Sequence, residues 1–354
     1  MERTLMKGTE AIAEAAVQAG CKYFFGYPIT PQNEIPEYMS KRLFEVGGTY
    51  LQAESEVSAS NMILGAASTG ERVMTSSSSP GVSLMAEAMS YMAGQEMPVV
   101  VVNVMRAGPG LGGILPSQGD YNQAAHGMAH GDFRIIVLAP SSLQEAVNMV
   151  QKSFDLAQTY RNPVIVLCDG VIGQIMEAVE IPEGHGKNLS KPVEWACGYM
   201  KERGKRNILR SLFLDPETLE NHNRKLEAKW NVIAEKETDC EKYKADDAEV
   251  VISAFGTVGR IARSVVDNLR SEGYKVGLMR PLLVNPFPYK DFATLVPTCK
   301  HILDVEMNWG QMKKDVEAAV KYQIPVSFYG RTGGMCPSVL EIEEECRKIF
   351  AELK

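Results

Sequence analysis

Three nearly continuous apolar runs, Val99–Met105, Arg134–Leu138 and Val164–Leu167, constrain this chain more than any other feature. A strand loses its polar alternation only when both faces are covered, so such runs call for central strands of a parallel sheet with helices on either side. Shorter strands are expected near Lys22–Gly26, Tyr50–Ala53 and Arg72–Thr75. Helices are expected over Gly8–Gln18, Val57–Ala67, Val82–Ala93 and Ser142–Gln158, the first closed by Gly20. Strand and helix thus alternate from Lys7 to about Glu180, the pattern of a doubly wound α/β domain.

Between about Ile181 and Asp247 charges crowd together and β-branched residues thin out. There Asp215-Pro216 reads as the N-cap and first-turn proline of an exposed helix running toward Lys236. The alternation resumes with Val250–Phe255, a helix from about Gly259 to Ser271, Lys275–Arg280, His301–Glu306, Gln311–Lys321 and Pro325–Tyr329. The 354 residues are therefore expected to form a larger α/β domain over 1–185, a charged connecting segment over 186–247 and a smaller α/β domain over 248–354.

Lys and Arg number 37 against 44 Asp and Glu, and a net charge of −7 gives no footprint for nucleic acid or an acidic membrane surface. The longest apolar candidate, Pro98–Val104, falls short of the roughly 18–20 residues of a membrane span. Met1-Glu2-Arg3-Thr4 is expected to open directly into a polar helix without a signal-peptide core, which implies a cytoplasmic location. Seven cysteines, Cys21, Cys168, Cys197, Cys240, Cys299, Cys336 and Cys346, show neither a disulfide framework nor a Cys-x-x-Cys clamp. Electrons from any redox chemistry are expected to leave through another chain.

Chemistry is expected at the carboxyl ends of the strands, where open parallel sheets bind ligands. The first strand runs into Gly26-Tyr27-Pro28-Ile29-Thr30-Pro31, a proline-stiffened loop that either offers the Thr30 hydroxyl to a ligand or is simply a rigid turn. Glu56, in Gln52-Ala53-Glu54-Ser55-Glu56, opens a helix; a carboxylate there often just complements the helix dipole. Yet Val57–Ala67 is almost uncharged, so the helix is expected to be buried and Glu56 with it. Arg106 closes the most apolar strand, as a clamp for a substrate carboxylate or as a structural ion pair. Gly108 to Gly113 formally satisfy G-x-G-x-x-G, but Ile114-Leu115-Pro116-Ser117 does not open the helix that a pyrophosphate site requires. A loop shaped for close backbone approach is the better reading. His126 and His130 stand i, i+4, but Gly127 and Gly131 interrupt the helix a metal pair would need.

Together, Tyr27-Pro28-Ile29-Thr30-Pro31, Gln52 through Glu56, Thr75 through Pro80-Gly81, and Met105-Arg106-Ala107-Gly108-Pro109-Gly110 resemble the α subunit of 2-oxoacid:ferredoxin oxidoreductases. The likeness extends over the whole chain. It is nearest to the 2-oxoisovalerate, or branched-chain, enzymes across Asn103 to Arg134, which include Gly119-Asp120-Tyr121-Asn122-Gln123; the 2-oxoglutarate type is the near neighbour.

The resemblance implies a pyrimidine-type thiamine diphosphate-binding domain followed by a transketolase C-terminal-like domain. It implies oxidative decarboxylation of a 2-oxoacid with coenzyme A, giving acyl-coenzyme A, carbon dioxide and reduced ferredoxin. Glu56 would bond a ring nitrogen of the aminopyrimidine and favour its imino tautomer. Pro28, Ile29 and Thr30 would line the cofactor, Thr30 and Arg106 would face the substrate, and Gly108, Gly110 and Gly112 would shape the pocket for its side chain. The Gly-Asp-Gly segment with a following asparagine that carries magnesium and diphosphate in thiamine enzymes is missing, since Cys168-Asp169-Gly170 lacks the first glycine and the downstream partner. The resemblance therefore implies half a site, with a β subunit supplying the diphosphate half, magnesium and an iron–sulfur cluster, and γ and ferredoxin-like δ subunits completing the complex. The alternatives are a 2-oxoglutarate-specific subunit and a scaffold subunit that kept the fold but not the site.

Overall fold

Seven strands build the sheet that the apolar runs demand. In the computed structural model, which describes residues 3–184 and 193–353, they lie edge to edge as Leu283–Asn285, Ile136–Leu138, Val164–Asp169, Val100–Met105, Val73–Ser77, Tyr23–Gly26 and Thr49–Gln52. All neighbours run parallel except Leu283–Asn285, which pairs antiparallel with Ile136–Leu138. Every residue of Val100–Met105 and Val164–Asp169 is buried. The strand pleat sends Val100, Val102 and Val104 into one apolar core with the helices Gly8–Gln18 and Leu143–Tyr160. It sends Val101 and Met105 into a second core with Glu56–Ala67 and Ala86–Gly94. Loss of alternation in the sequence thus has the expected cause, a sheet covered on both faces.

A second sheet orders its five strands as Val326–Gly330, His301–Glu306, Val250–Ser253, Val276–Pro281 and Cys240–Tyr243, the last antiparallel. The helices Gly256–Ser271 and Val339–Glu352 cover one face. The other face contributes Val251, Met279 and Ile302 to the same core that lines the larger sheet. The helix Pro216–Lys236 begins as expected, with the Asp215 carboxylate accepting Thr218 N–H at 2.8 Å. Leu226, Trp230 and Ile233, spaced i, i+4, i+7, form its buried stripe, and Trp230 and Ile233 enter the core of the larger sheet. The domain boundary expected after residue 185 lies outside the described residues.

Two local expectations differ from the structure. Met1 and Glu2 are outside the described residues, and Thr4–Lys7 is a strand, not the start of a helix; it pairs antiparallel with Met176–Val179. A strand whose partner lies some 170 residues on leaves no local signal. Val82–Ala93 is two helices, Pro80–Leu84 and Ala86–Gly94, because the chain tightens at Met85, whose N–H bonds the Val82 carbonyl.

Polar clasps join the sheets where their strand ends converge. Asp169 accepts hydrogen bonds from Val171 N and Ile172 N, and from Thr257 N and its hydroxyl at 2.8 and 2.6 Å. One carboxylate therefore caps two helices, Gly170–Gln174 and Gly256–Ser271. Gln118 donates to the Phe255 carbonyl at 2.7 Å and accepts Met307 N–H at 3.0 Å. Gly256, at φ +56°, passes between them, and a Cβ there would press on Gln118 and Asp169.

Within the second sheet, Asp304 is fully buried and, among the described residues, neither of its oxygens has a hydrogen-bond partner. Burial first, then the neighbouring Glu306 carboxylate, pushes its acid group well above the ordinary carboxylate range, although Ser253 pulls the other way. A group raised in the folded state contributes its full stability below the unfolded value and loses it as pH rises toward the folded one. Asp304→Asn removes that titration, so the variant gains about 1–3 kcal/mol over the parent at pH 8 and much less at pH 4.5, read from denaturant midpoints at both pH values.

Candidate functional site

Four loops at the carboxyl ends of adjacent parallel strands assemble the site. They follow Tyr23–Gly26, Thr49–Gln52, Val73–Ser77 and Val100–Met105. Glu56 is the first residue of its helix, behind Ser55, whose hydroxyl caps Ser58 N–H at 3.2 Å. It is 5% exposed, and among the described residues its carboxylate has no hydrogen-bond or ion-pair partner. A carboxylate this buried is costly unless something else satisfies it.

It lies against Gly81, where a Cβ would overlap both the Glu56 carboxylate and the Ser77 hydroxyl. Only glycine lets the chain pass this close to the two groups, and the fully buried Ser77 hydroxyl has no hydrogen-bond partner among the described residues. Thr75 and Ser78 add two more buried, unpartnered hydroxyls on the same strand end. The chemistry of this set, a carboxylate beside hydroxyls without partners, matches what a heterocycle with ring nitrogens and an amino group, the aminopyrimidine of thiamine diphosphate, would satisfy.

Arg106 is 8% exposed and donates from Nη1 to the Thr30 carbonyl at 2.9 Å. The structure thus brings together two of the residues singled out in the sequence. Its Nε is buried without a partner, and among the described residues no carboxylate pairs with it. A buried guanidinium with one occupied arm and an unpaired edge is poised for an anion. Thr30 itself is exposed, as is Pro28, with Ile29 half-buried on the same loop, and Asn33 donates to the Thr30 hydroxyl at 3.4 Å.

The Gly108 to Gly113 loop leaves the sheet as a tight excursion closed by Ala107 N to Leu115 O at 3.0 Å and Gly113 N to Ala107 O at 2.9 Å. Gly110 and Gly112 have φ of +70° and +57°, and a Cβ at Gly112 would overlap the Ala107 carbonyl. Gly108 meets nothing and, like Gly110, lies exposed. Leu111 at the tip is 85% exposed, with Ile114 and Leu115 also open and Leu115 packed beside Gly334 of the smaller domain. The pocket wall expected from Gly108, Gly110 and Gly112 is thus a projecting apolar rim. His126 bonds Asp315 at 2.7 Å, and Asp315 also accepts from Tyr121 and Tyr289.

Sequence reasoning passed over Ser77, Ser79, Asn103 and Asp120, the polar groups that tie these loops together. The signals were present. A run of four serines, Ser76 to Ser79, ends the buried strand Val73–Ser77 and leads out of it, and Asn103 interrupts Val100–Met105 among apolar residues, where an amide persists only with partners.

Comparison with known proteins identifies relatives of the chain. A family model described as pyruvate flavodoxin/ferredoxin oxidoreductase, thiamine diphosphate-binding, matches residues 14–240, and one described as pyruvate:ferredoxin oxidoreductase core domain II matches 248–342. Ketoisovalerate oxidoreductase subunit VorB of Methanothermobacter thermautotrophicus is 44% identical over 99% of both chains. 2-Oxoglutarate synthase subunit KorA of Methanocaldococcus jannaschii is 34% identical over 97% of this chain and 99% of that one. A 2-oxoglutarate:ferredoxin oxidoreductase structure from Magnetococcus marinus, with 2-oxoglutarate, coenzyme A and succinyl-CoA bound, superposes with a TM-score of 0.87 at 26% identity. The match covers 98% of this chain but 65% of that longer one.

Proposed function

Because the chain belongs to the thiamine-dependent 2-oxoacid:ferredoxin oxidoreductases, we propose that it activates the cofactor's aminopyrimidine and holds the substrate carboxylate while a partner subunit grips the diphosphate. The observation that carries this reading is the buried Glu56 carboxylate, without a partner among the described residues, beside the unpartnered Ser77 hydroxyl at Gly81. Thiamine diphosphate, when bound, supplies the carbon nucleophile and the electron sink for decarboxylation. Glu56 holds a proton between its carboxyl group and a pyrimidine nitrogen, and Ser77 offers a hydroxyl beside it. Burial keeps water from competing for that proton.

Arg106 uses the guanidinium edge left free by Thr30 to take a 2-oxoacid carboxylate, with the Thr30 loop closing over it. Arg106→Gln removes the charge but keeps much of the bulk. We expect KM for the 2-oxoacid to rise about 10–100-fold with a smaller change in kcat, measured by dye-linked oxidation in the reconstituted complex. A scaffold role would leave the unpartnered Glu56, Ser77 and Arg106 Nε without a reason to be buried.

The substrate reading is 2-oxoisovalerate, with coenzyme A as acyl acceptor and ferredoxin as electron acceptor. It rests on the 44% and 43% identity to two ketoisovalerate oxidoreductase subunits, against 32–35% for 2-oxoglutarate synthase subunits. The open apolar rim of Leu111, Ile114 and Leu115 supports a partner that completes the pocket, carries the diphosphate half with magnesium and an iron–sulfur cluster, and passes electrons through γ and ferredoxin-like δ subunits. Assay of the complex across 2-oxoisovalerate, 2-oxoglutarate, pyruvate and indolepyruvate tests this. The highest kcat/KM is expected with 2-oxoisovalerate, and a preference for 2-oxoglutarate would move the substrate assignment while leaving the reaction class in place.

A further inference from the structure

Ser79 has φ +30° and ψ −85°, a conformation that a residue with a Cβ rarely adopts. It stands two residues before Gly81 and opens the Pro80–Leu84 helix, so its backbone sets where Gly81 packs against Glu56. Such strain persists only where surrounding groups over-determine it, and here they can be named. Ser79 N–H donates to Asn103 Oδ1 at 3.2 Å. The Ser79 hydroxyl lies 2.6 Å from Asp120 Oδ2, and the Asn103 amide donates to the same oxygen at 2.9 Å.

The hydroxyl has one proton, and the short approach to a carboxylate claims it. Its lone pairs are then free to accept the Arg106 N–H at 3.0 Å, and the 3.2 Å approach to the Arg106 carbonyl is a contact rather than a second donation. Asp120 is mostly buried, and no cation pairs with it among the described residues. Burial raises its carboxyl above the ordinary range, and Ser79 and Asn103 offset part of that. A desolvated acid and a strained serine are each unfavourable for stability, yet both converge on the main chain of a buried arginine whose Nε has no partner among the described residues.

We propose that Ser79, locked by Asp120 and Asn103, is a positioning residue that fixes the Arg106 main chain and so aims its guanidinium at the 2-oxoacid carboxylate. The inference rests on Arg106 being the carboxylate clamp. Specificity for the carboxylate then depends on an acid that never touches the substrate. A small displacement of a clamp costs far more in reaction geometry than in fold stability, so the signature is kinetic.

The test uses the reconstituted holoenzyme with the variants Asp120→Ala, Asp120→Asn, Ser79→Gly and the Ser79→Gly/Asp120→Ala double. Asp120→Ala is expected to raise KM for the 2-oxoacid about tenfold, with kcat within about twofold. Asp120→Asn keeps an oxygen that can accept both hydrogen bonds and should restore KM to within about threefold of the parent. Ser79→Gly relieves the strained φ, yet should raise KM as Asp120→Ala does, and the double variant should be no worse than either single, because all act through one linkage. Thermal midpoints and thiamine diphosphate affinity, read by calorimetry, are expected to stay near parental values. If Asp120→Ala does not assemble, Ser79→Gly decides, since glycine accepts the observed backbone. An unchanged KM in Ser79→Gly, a loss confined to kcat, or failure of Asp120→Asn to rescue overturns the proposal. If Arg106→Gln itself leaves KM unchanged, the clamp reading beneath it fails instead.

Discussion

Glu56→Gln lowers kcat of the reconstituted complex about 10²–10⁴-fold while the subunits still assemble and the cofactor still binds. The substitution preserves the volume that packs against Gly81 and Ser77, so the local packing is kept. What it removes is the ability to exchange a proton. An amide nitrogen can donate to a ring nitrogen, but it cannot shuttle a proton to and fro as the tautomer changes. Because Glu56 has no partner among the described residues, no neighbouring acid is bonded to it that could take over the task. KM for the 2-oxoacid should move little, since Arg106 and Thr30 are untouched. Glu56→Asp retains the acid but draws it back by one methylene, so an intermediate loss is expected, with the proton available but misplaced. Dye-linked turnover at saturating cofactor measures the loss, and calorimetry of thiamine diphosphate separates it from weakened binding. Near-parental turnover in Glu56→Gln would remove the proton-transfer role, and a collapse of cofactor affinity with kcat intact would make Glu56 an anchor instead.

The elements legible in the sequence were those whose cause is local or periodic. Val100–Met105 and Val164–Asp169 announced themselves because burial on two faces erases alternation, and Asp215-Pro216 announced a helix because cap and first-turn proline are adjacent in the chain. Glu56 is buried as the nearly uncharged helix after it suggested, but the helix itself is not: Val57, Asn61 and Gly65 lie exposed, because a helix at the edge of the layer buries only one face. What stayed hidden depends on distant partners. The strand Thr4–Lys7 exists through Met176–Val179, and Leu283–Asn285 completes the larger sheet from within the smaller domain. The role of Asp169 was hidden likewise. The sequence showed only an incomplete metal motif, whereas its oxygens are committed to caps on two helices from different halves of the chain. Ser79 is the instructive case at the site. Nothing in a run of four serines distinguishes the one at positive φ, because Asp120 and Asn103, which hold it there, are 41 and 24 positions away.

Arg280→Ala should destabilise the chain by about 3 kcal/mol at pH 7, the lower end of what breaking a buried ion pair costs. Arg280 is 4% exposed on the strand Val276–Pro281, and its guanidinium is fully used. Two arms meet Glu145 at 3.0 and 2.7 Å, and Nε meets Glu241 at 2.6 Å. Glu145 begins a helix of the larger sheet and Glu241 lies on the edge strand of the smaller one, so a single cation ties the two layers together. Removing it strands the Glu145 carboxylate, which is 29% exposed, while Glu241 keeps its ion pair with Arg263, and both facts keep the expected loss from reaching the upper end. Burial alone would push the Glu145 carboxyl up, but the Arg280 charge and the Ser141 donors outweigh it and hold the group below the ordinary carboxylate range. A group depressed in the folded state contributes its stability above the unfolded value and loses it as pH falls through the folded one. The gap between parent and Arg280→Ala should therefore be widest near neutrality and narrow on acidification, as read from urea midpoints at pH 7 and pH 4. Arg280→Met combined with Glu145→Gln removes the buried pair, leaves Glu241 on Arg263, and should recover much of the loss, because the cost of the single variant lies mainly in the Glu145 acid left behind rather than in the contact removed.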